Sequence, residues 1–310
     1  MKLNQLSLII ALNFLSLLNI SIVDAQTSSS QNNSFSFIFM TDIHVQYQQK
    51  ADEGLKKAID LANSLNPDFV LTGGDLIMDA LGQPFGYADS LYKLYVSTSK
   101  NFRMPVHNTI GNHEHFGIYR ESGISPDHPD YGLKMFERYL GNSFYSFDHK
   151  GWHFMVLNSV ATPGRRYIGE IDKEQLEWIK QDLVKVDPNT PIISSTHIPL
   201  ISLYTSVFGG NMVVNDSASV VTNAQEVIKL FAGHNLRLVL QGHQHFYEDI
   251  TYQFDNQTIR FITGGAVCAR WWSGPERGLQ EGFLKVDIDG PEIKTQYIDY
   301  KWEALPAKQE

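Results

Sequence analysis

Residues 35–44 read FSFIFMTDIH. Phe35, Phe37 and Phe39 alternate with Ser36, Ile38 and Met40, and the run is rich in aromatics. That pattern predicts a buried strand. It breaks into Asp42-Ile43-His44. The same change recurs twice downstream. Residues 69–75, FVLTGGD, predict a short strand running into Gly73-Gly74-Asp75, and Pro105–Ile110 predicts another that ends at Gly111-Asn112-His113-Glu114. Between them Leu55, Ala58, Ile59, Ala62 and Leu65 follow helical spacing up to Pro67, and Tyr87, Leu91, Leu94 and Tyr95 mark a second helix. Strand, helix, strand, helix, strand, each strand closed by polar residues, predicts right-handed crossovers and a mainly parallel sheet. The strand ends then line one edge, where ligand sites of α/β folds form.

The second half adds hairpins. Ser143–Phe147 and Trp152–Asn158 flank Asp148-His149-Lys150-Gly151, Phe246–Phe254 and Thr258–Thr263 flank Asp255-Asn256, and Gly282–Ile288 and Glu292–Tyr300 flank Asp289-Gly290. Helices are expected over 172–186 and 224–231. Strands over 191–196 and 236–240 end at His197 and at Gly242-His243-Gln244-His245. Residues 117–132 and 198–223 read as long loops at the rim of a site. No repeat, charge block or linker divides the chain.

Five strand ends thus deliver Asp42 and His44, Asp75, Asn112 and His113, His197, and His243 with His245. Singly these are ordinary turn residues; together they form a donor set. Eleven histidines and a single cysteine, Cys268, exclude a disulfide framework or a thiolate-rich metal site. Metal chemistry here has to use imidazole, carboxylate and amide, a mixture suited to manganese, iron or zinc. Two divalent ions about 4 Å apart need one shared carboxylate and several terminal ligands. Residues i and i+2 of an extended segment project to one side. Asp42 and His44 are therefore expected to face one ion, and His243 and His245 to face the site together.

The set resembles the calcineurin-like metallophosphoesterase family, whose pattern is Asp-x-His, Gly-Asp, Gly-Asn-His-Glu/Asp, a lone His and Gly-His-x-His, in that order. All five blocks stand between residues 42 and 245. The resemblance implies an α/β fold (α+β by some schemes), a four-layer αββα sandwich of two mixed β-sheets flanked by helices. It implies two divalent transition-metal ions (Mn, Fe or Zn), one held by Asp42, His44, Asp75 and His245 and the other by Asp75, Asn112, His197 and His243. It makes His113 the general acid toward the leaving group and a metal-bridging hydroxide the nucleophile. Purple acid phosphatases carry a tyrosine three residues after the bridging aspartate. Met78 stands there instead, so no ferric-tyrosinate site is expected. Many members carry an acidic residue at that position to support the histidine; here the nearest is Asp79, one residue later.

Residues 1–25 combine Lys2, an apolar run from Leu6 to about Val23, and Val23-Asp24-Ala25 at the end. They read as a secretory signal peptide. Asn13, Ser16 and Asn19 weaken an uncleaved membrane anchor, so no stable span is expected after cleavage. A disordered segment, 26–34, and a single catalytic domain, 35–310, follow. The expected location is periplasmic or extracellular. The net charge of −9 counts against an extended nucleic-acid partner and leaves a small phosphate ester, mono- or diester, as substrate. Trp271-Trp272, on a glycine-bounded loop beyond the last block, either wall the pocket and contact substrate or plug a core edge. Arg165-Arg166 either clamp a phosphate or lie on a solvated loop, the latter being the plainer reading. The competing functional class is a metal- or phosphate-binding protein that keeps the fold without the chemistry.

Overall fold

The computed structural model describes residues 34–254 and 257–305. The leader read at 1–25 and nearly all of the segment 26–34 lie outside the described residues. Ser34, counted with that segment, donates a hydrogen bond to Asp289 Oδ1 at 2.7 Å.

In chain order the elements are β1 (Phe35–Met40), α1 (Ala51–Ser64), β2 (Phe69–Thr72), α2 (Phe85–Ser99), β3 (Val106–His107), α3 (Lys134–Leu140), β4 (Tyr145–His149), β5 (Trp152–Val156), β6 (Val160–Ala161), β7 (Ile168–Gly169) and α4 (Lys173–Leu183). Then come β8 (Pro191–Ser195), α5 (Tyr204–Gly209), α6 (Ala224–Leu230), β9 (Asn235–Gln241), β10 (Tyr247–Phe254), β11 (Gln257–Gly264), β12 (Gly282–Asp289) and β13 (Glu292–Asp299).

Two large sheets result. The first has the order β13-β12-β1-β2-β3, the second β10-β11-β9-β8-β5-β4. In the first, β1-β2-β3 are parallel and run to one edge, with β12 and β13 antiparallel on the other side; in the second, β5-β8-β9-β11 form a parallel centre between antiparallel β4 and β10. The sheets are therefore mixed, because the hairpins add antiparallel strands beside the parallel ones.

The alternation read in β1 sorts its side chains between two cores. Phe35, Phe37 and Phe39 enter the layer between the sheets with Phe69, Phe154, Ile193 and Leu240. Ile38 and Met40 face the opposite way, under α1 and α2, with Leu55, Ala58, Ile59, Leu91 and Tyr95. Phe37 stacks on Phe69 with ring centres 5.0 Å apart, an arrangement worth about 1 kcal/mol beyond burial alone. A third core joins the outer face of the second sheet to α4 and α6 through Leu176, Ile179, Val227 and Phe231. Helix, sheet, sheet, helix is the layer order.

Some boundaries differ from expectation. The strand foreseen over 105–110 is two residues long because the Thr109 amide bonds to Thr72 Oγ1 at 2.9 Å and leaves the ladder. The helix foreseen over 172–186 closes at Leu183, and it starts where Asp172 caps the Gln175 amide at 2.8 Å. Within the loop read at 198–223 lies α5, and the small β6–β7 pair was not foreseen.

Candidate metal centre

The first sheet ends in the turns that carry Asp42, His44, Asp75, Asn112 and His113; the second ends in those carrying His197, His243 and His245. Past β1 and β2 the two chains stay hydrogen-bonded, Asp42 N to Gly74 O (3.0 Å), His44 N to Asp75 O (2.9 Å) and Val45 N to Leu76 O (3.0 Å). The backbone of the site is thus an extension of the sheet rather than free loop.

Asp42, His44, Asp75, His243 and His245 all have left-handed backbones, with φ of 54°, 46°, 52°, 73° and 47°. This corrects the expectation that a pleated i, i+2 geometry aims the Asp42/His44 and His243/His245 pairs. A pleat sets i and i+2 about 7 Å apart, whereas ligands of one ion with bonds near 2.1 Å lie about 3.0–3.4 Å apart. The left-handed residues curl the chain so that both side chains of a pair reach inward. Such backbones cost on the order of 1–3 kcal/mol each, so the surroundings must hold them. Asp42 accepts from Thr41 Oγ1 (2.6 Å) and from the His243 amide (3.0 and 3.1 Å). Gly74, at φ 89°, lies so near the site that a Cβ there would fall 2.6 Å from His197 Nδ1.

The donors converge. His44 Nε2 lies 3.1 Å from His245 Nε2 and 3.5 Å from Asp75 Oδ2. His245 Nε2 is 3.5 Å from Asp42 Oδ1. His197 Nε2 lies 3.1 Å from both Asp75 Oδ2 and Asn112 Oδ1. The ligand atoms of Asp75, His197 and His243 fall within 4.8 Å of one another. Asp75 is therefore shared by two donor groups, as the bridging assignment requires geometrically.

Backbone carbonyls orient the rings. His197 Nδ1 faces Gly73 O at 2.7 Å and His245 Nδ1 faces Ala269 O at 2.7 Å. A carbonyl only accepts, so these Nδ1 atoms carry the protons and, in the neutral rings, the Nε2 lone pairs point into the site. Burial drives the imidazolium form of His44 well down, and that of His243 down to about 3, which keeps both as lone-pair donors. His44 Nδ1 is buried with no hydrogen-bond partner. Burial opposes charge on His197, but the adjacent Asp75 carboxylate outweighs it and pushes the ring up to about 9. A cluster of lone pairs and carboxylate oxygens at 3.1–3.5 Å calls for a cation, and the spacing fits shared metal ions. The residues present fit such ions.

His113 stands beside this set. Its Nδ1 lies 2.5 Å from Met78 O, its Nε2 3.9 Å from Asp75 Oδ2, and its amide donates to Asp75 Oδ1 at 3.0 Å. Asp79 Oδ1 is 3.8 Å from His113 Nδ1 and accepts instead from the Leu81 amide at 2.9 Å. The group orienting His113 is the Met78 carbonyl, one residue before the acid considered from sequence.

The tryptophan pair divides. Trp271 is 38% exposed, with its ring 4.2 Å from that of His44, 4.8 Å from His245 and 5.6 Å from His113. Trp272 is 0% exposed; its indole donates to His44 O at 3.0 Å and its ring lies against Gly54 of α1, where no Cβ would fit. The expectation that Trp272 contacts substrate is corrected: it is a core residue that fixes the His44 turn. Adjacent residues with φ of 52° and 66° point in different directions. Arg165 is also structural, donating to the carbonyls of Gly117 and Ile124. Tyr204 and Phe208 of α5 pack on Phe246 under Arg277.

Sequence reasoning assigned no role to Glu114. Its buried carboxylate accepts four backbone amides, Asp75 (2.9 Å), Leu76 (2.7 Å), Ile77 (3.1 Å) and Gly111 (2.7 Å). It ties the turn bearing Asp75 to the turn bearing Asn112. The signal was an acidic residue inside a block destined for burial, where only backbone donors could satisfy it.

Fold and donor set together define an α/β protein with two linked imidazole–carboxylate donor groups, able to hold metal ions, between two sheet edges. The family model for calcineurin-like phosphoesterases matches residues 35–247, and the chain belongs to that family. It is 24% identical over 194 residues to a probable cyclic nucleotide phosphodiesterase of Rhodococcus erythropolis, covering 62% of this chain and 56% of the relative. It is 33% identical over 107 residues to purple acid phosphatase 15 of Arabidopsis thaliana, covering 34% and 17%. The chain thus matches little more than half the length of the first relative and less of the second. A dimetal phosphatase from Danio rerio has the same fold at a TM-score of 0.60, with 15% identity over 87% of this chain and 98% of that one.

Proposed function

We propose that this chain is an exported phosphoesterase that hydrolyses small phosphate mono- or diesters at a centre of two divalent ions, with His113 as general acid. The observation that carries the reading is the inward convergence of imidazole nitrogens and carboxylates, with Asp75 common to both groups. The names of its relatives, phosphatases and a phosphodiesterase, support the same class.

Asp42, His44, Asp75 and His245 would hold one ion and Asp75, Asn112, His197 and His243 the other. Bound there, the ions supply positive charge to phosphoryl oxygens and lower the pKa of a water toward neutrality. The protein does the rest. The Met78 carbonyl holds His113 Nδ1–H, leaving Nε2 to give its proton to the departing oxygen. Trp271 closes the side over His44 and His245, offers a flat face to the ester and excludes water. Met78 takes the place of the tyrosine ligand of purple acid phosphatases, so a colourless centre is proposed. The apolar run from Leu6 to Val23 supports export, and among the described residues no helix is long and apolar enough to cross a membrane.

The binding-protein alternative would tolerate loss of a donor or of His113, and every one is present. Assay of the metal-loaded chain on mono-aryl and bis-aryl phosphates tests the reading. Turnover of either supports it; retention of two ions with no turnover of any ester supports the alternative.

A further inference from the structure

Resting on the phosphoesterase reading, we infer that the leaving group is a neutral polyhydroxyl alcohol, bound in a groove that opens beyond His113. The groove has a volume of about 580 Å³, and Asn112 and His113 form its inner wall. A leaving group that takes a proton from His113 Nε2 departs into this space.

Its lining states what it accepts. Three amides, Gln46, Gln48 and Gln83, and three phenols, including Tyr119 and Tyr167, face it; no lysine or arginine does so among the described residues. Gln46 is largely buried, but its side-chain amide, to which no described residue hydrogen-bonds, opens onto the groove. A primary amide carries both a donor and an acceptor, so one left unpaired by the protein in a groove wall suits a ligand that both donates and accepts. Hydroxyl groups do both. A second phosphate accepts but does not donate when ionised, and it would meet the Glu121 carboxylate with no lysine or arginine to offset its charge. A cationic amine would find only Glu121 free, because Asp79 is already bonded to the Leu81 amide and to Gln83 Nε2 at 2.9 and 2.8 Å. The balance of amides and phenols over charge selects the uncharged polyol.

The test uses the full metal-loaded chain. First, p-nitrophenyl phosphate and bis-p-nitrophenyl phosphate report the chemistry alone. Then kcat/KM is compared for glycerol phosphate, glucose 6-phosphate, butyl phosphate, ethanolamine phosphate and fructose bisphosphate, each also as its methyl diester. The polyol esters are expected to exceed the butyl and bisphosphate esters by about tenfold or more, the worth of one satisfied buried hydrogen bond. Gln46→Leu should lower the polyol-to-butyl ratio by about tenfold, and Glu121→Lys should raise the bisphosphate relative to glucose 6-phosphate. The second change is a gain that misfolding cannot mimic. Equal rates across the panel, preference for the amine or bisphosphate ester, or ratios indifferent to both substitutions would overturn the inference. Failure to turn over either nitrophenyl ester would instead overturn the phosphoesterase reading itself, and this inference with it.

Discussion

Asp75 sits where both donor groups meet, and its Oδ2 lies 3.1 Å from His197 Nε2 and 3.5 Å from His44 Nε2. Asp75→Asn should lose bound metal and turnover together, measured by elemental analysis beside an aryl phosphate assay. His113→Ala should keep both ions and lose about 10²–10⁴ in rate, most on poor leaving groups, because only proton transfer is removed. A His113→Ala protein emptied of metal would contradict the role assigned. Glu114→Ala would leave four buried amides unpaired, a loss of about 3–5 kcal/mol. Calorimetry should then show a melting temperature lower by about 10 °C. The donors were legible because five polar clusters each close a short apolar strand, and a parallel sheet brings such strand ends together. The clamp by Glu114 was not, since it depends on amides of residues 75–77 turned toward it by the left-handed Asp75. Trp271 and Trp272 were inseparable for a similar reason: their directions follow from φ, which adjacency does not specify.

At the scale of elements, α2 and α3 are joined through Asp89. Its carboxylate accepts from Arg138 Nη2 (3.0 Å) and Tyr139 Oη (2.5 Å) on α3 and pairs with Lys93 (2.7 Å) on α2. Burial would raise its pKa, but the hydrogen bonds from Lys93, Tyr139 and Arg138 outweigh burial and hold it at about 2 against an ordinary 3.8. A depressed carboxylate stabilises fully above its unfolded pKa, and the contribution is lost as pH falls through the folded one. Asp89→Asn should therefore cost about 1–2 kcal/mol at neutral pH. The gap in melting temperature between wild type and variant should close as pH is lowered from about 4 to 2; a gap unchanged over that range would show that the ion pairs are not its cause. The helices and hairpins were legible from spacing and turn residues. β3 was not, because a side-chain hydroxyl on the neighbouring strand takes its ladder hydrogen bond.

Across the whole molecule, neither sheet holds a complete centre. The first contributes Asp42, His44, Asp75, Asn112 and His113 and the second His197, His243 and His245, so the aromatic layer between them sets the donor distances. Ions that bind only the assembled site stabilise it by mass action. Adding manganese or zinc at about 100 times its dissociation constant should stabilise the fold by about 2.7 kcal/mol, seen as a raised melting temperature that chelator reverses. The parallel strands β1-β2-β3 followed from the strand–helix pattern, while the second sheet and its meeting with the first rested on family resemblance. Periodicity shows which face of a strand is buried but not what covers it. The most direct test of the account is the metal content of the purified, reconstituted chain measured beside its hydrolysis of p-nitrophenyl phosphate and bis-p-nitrophenyl phosphate. The account predicts two ions per chain and hydrolysis of at least one ester, both abolished by Asp75→Asn. Hydrolysis that survives complete removal of metal, or a wild-type chain that takes up no ions with every donor intact, would contradict it.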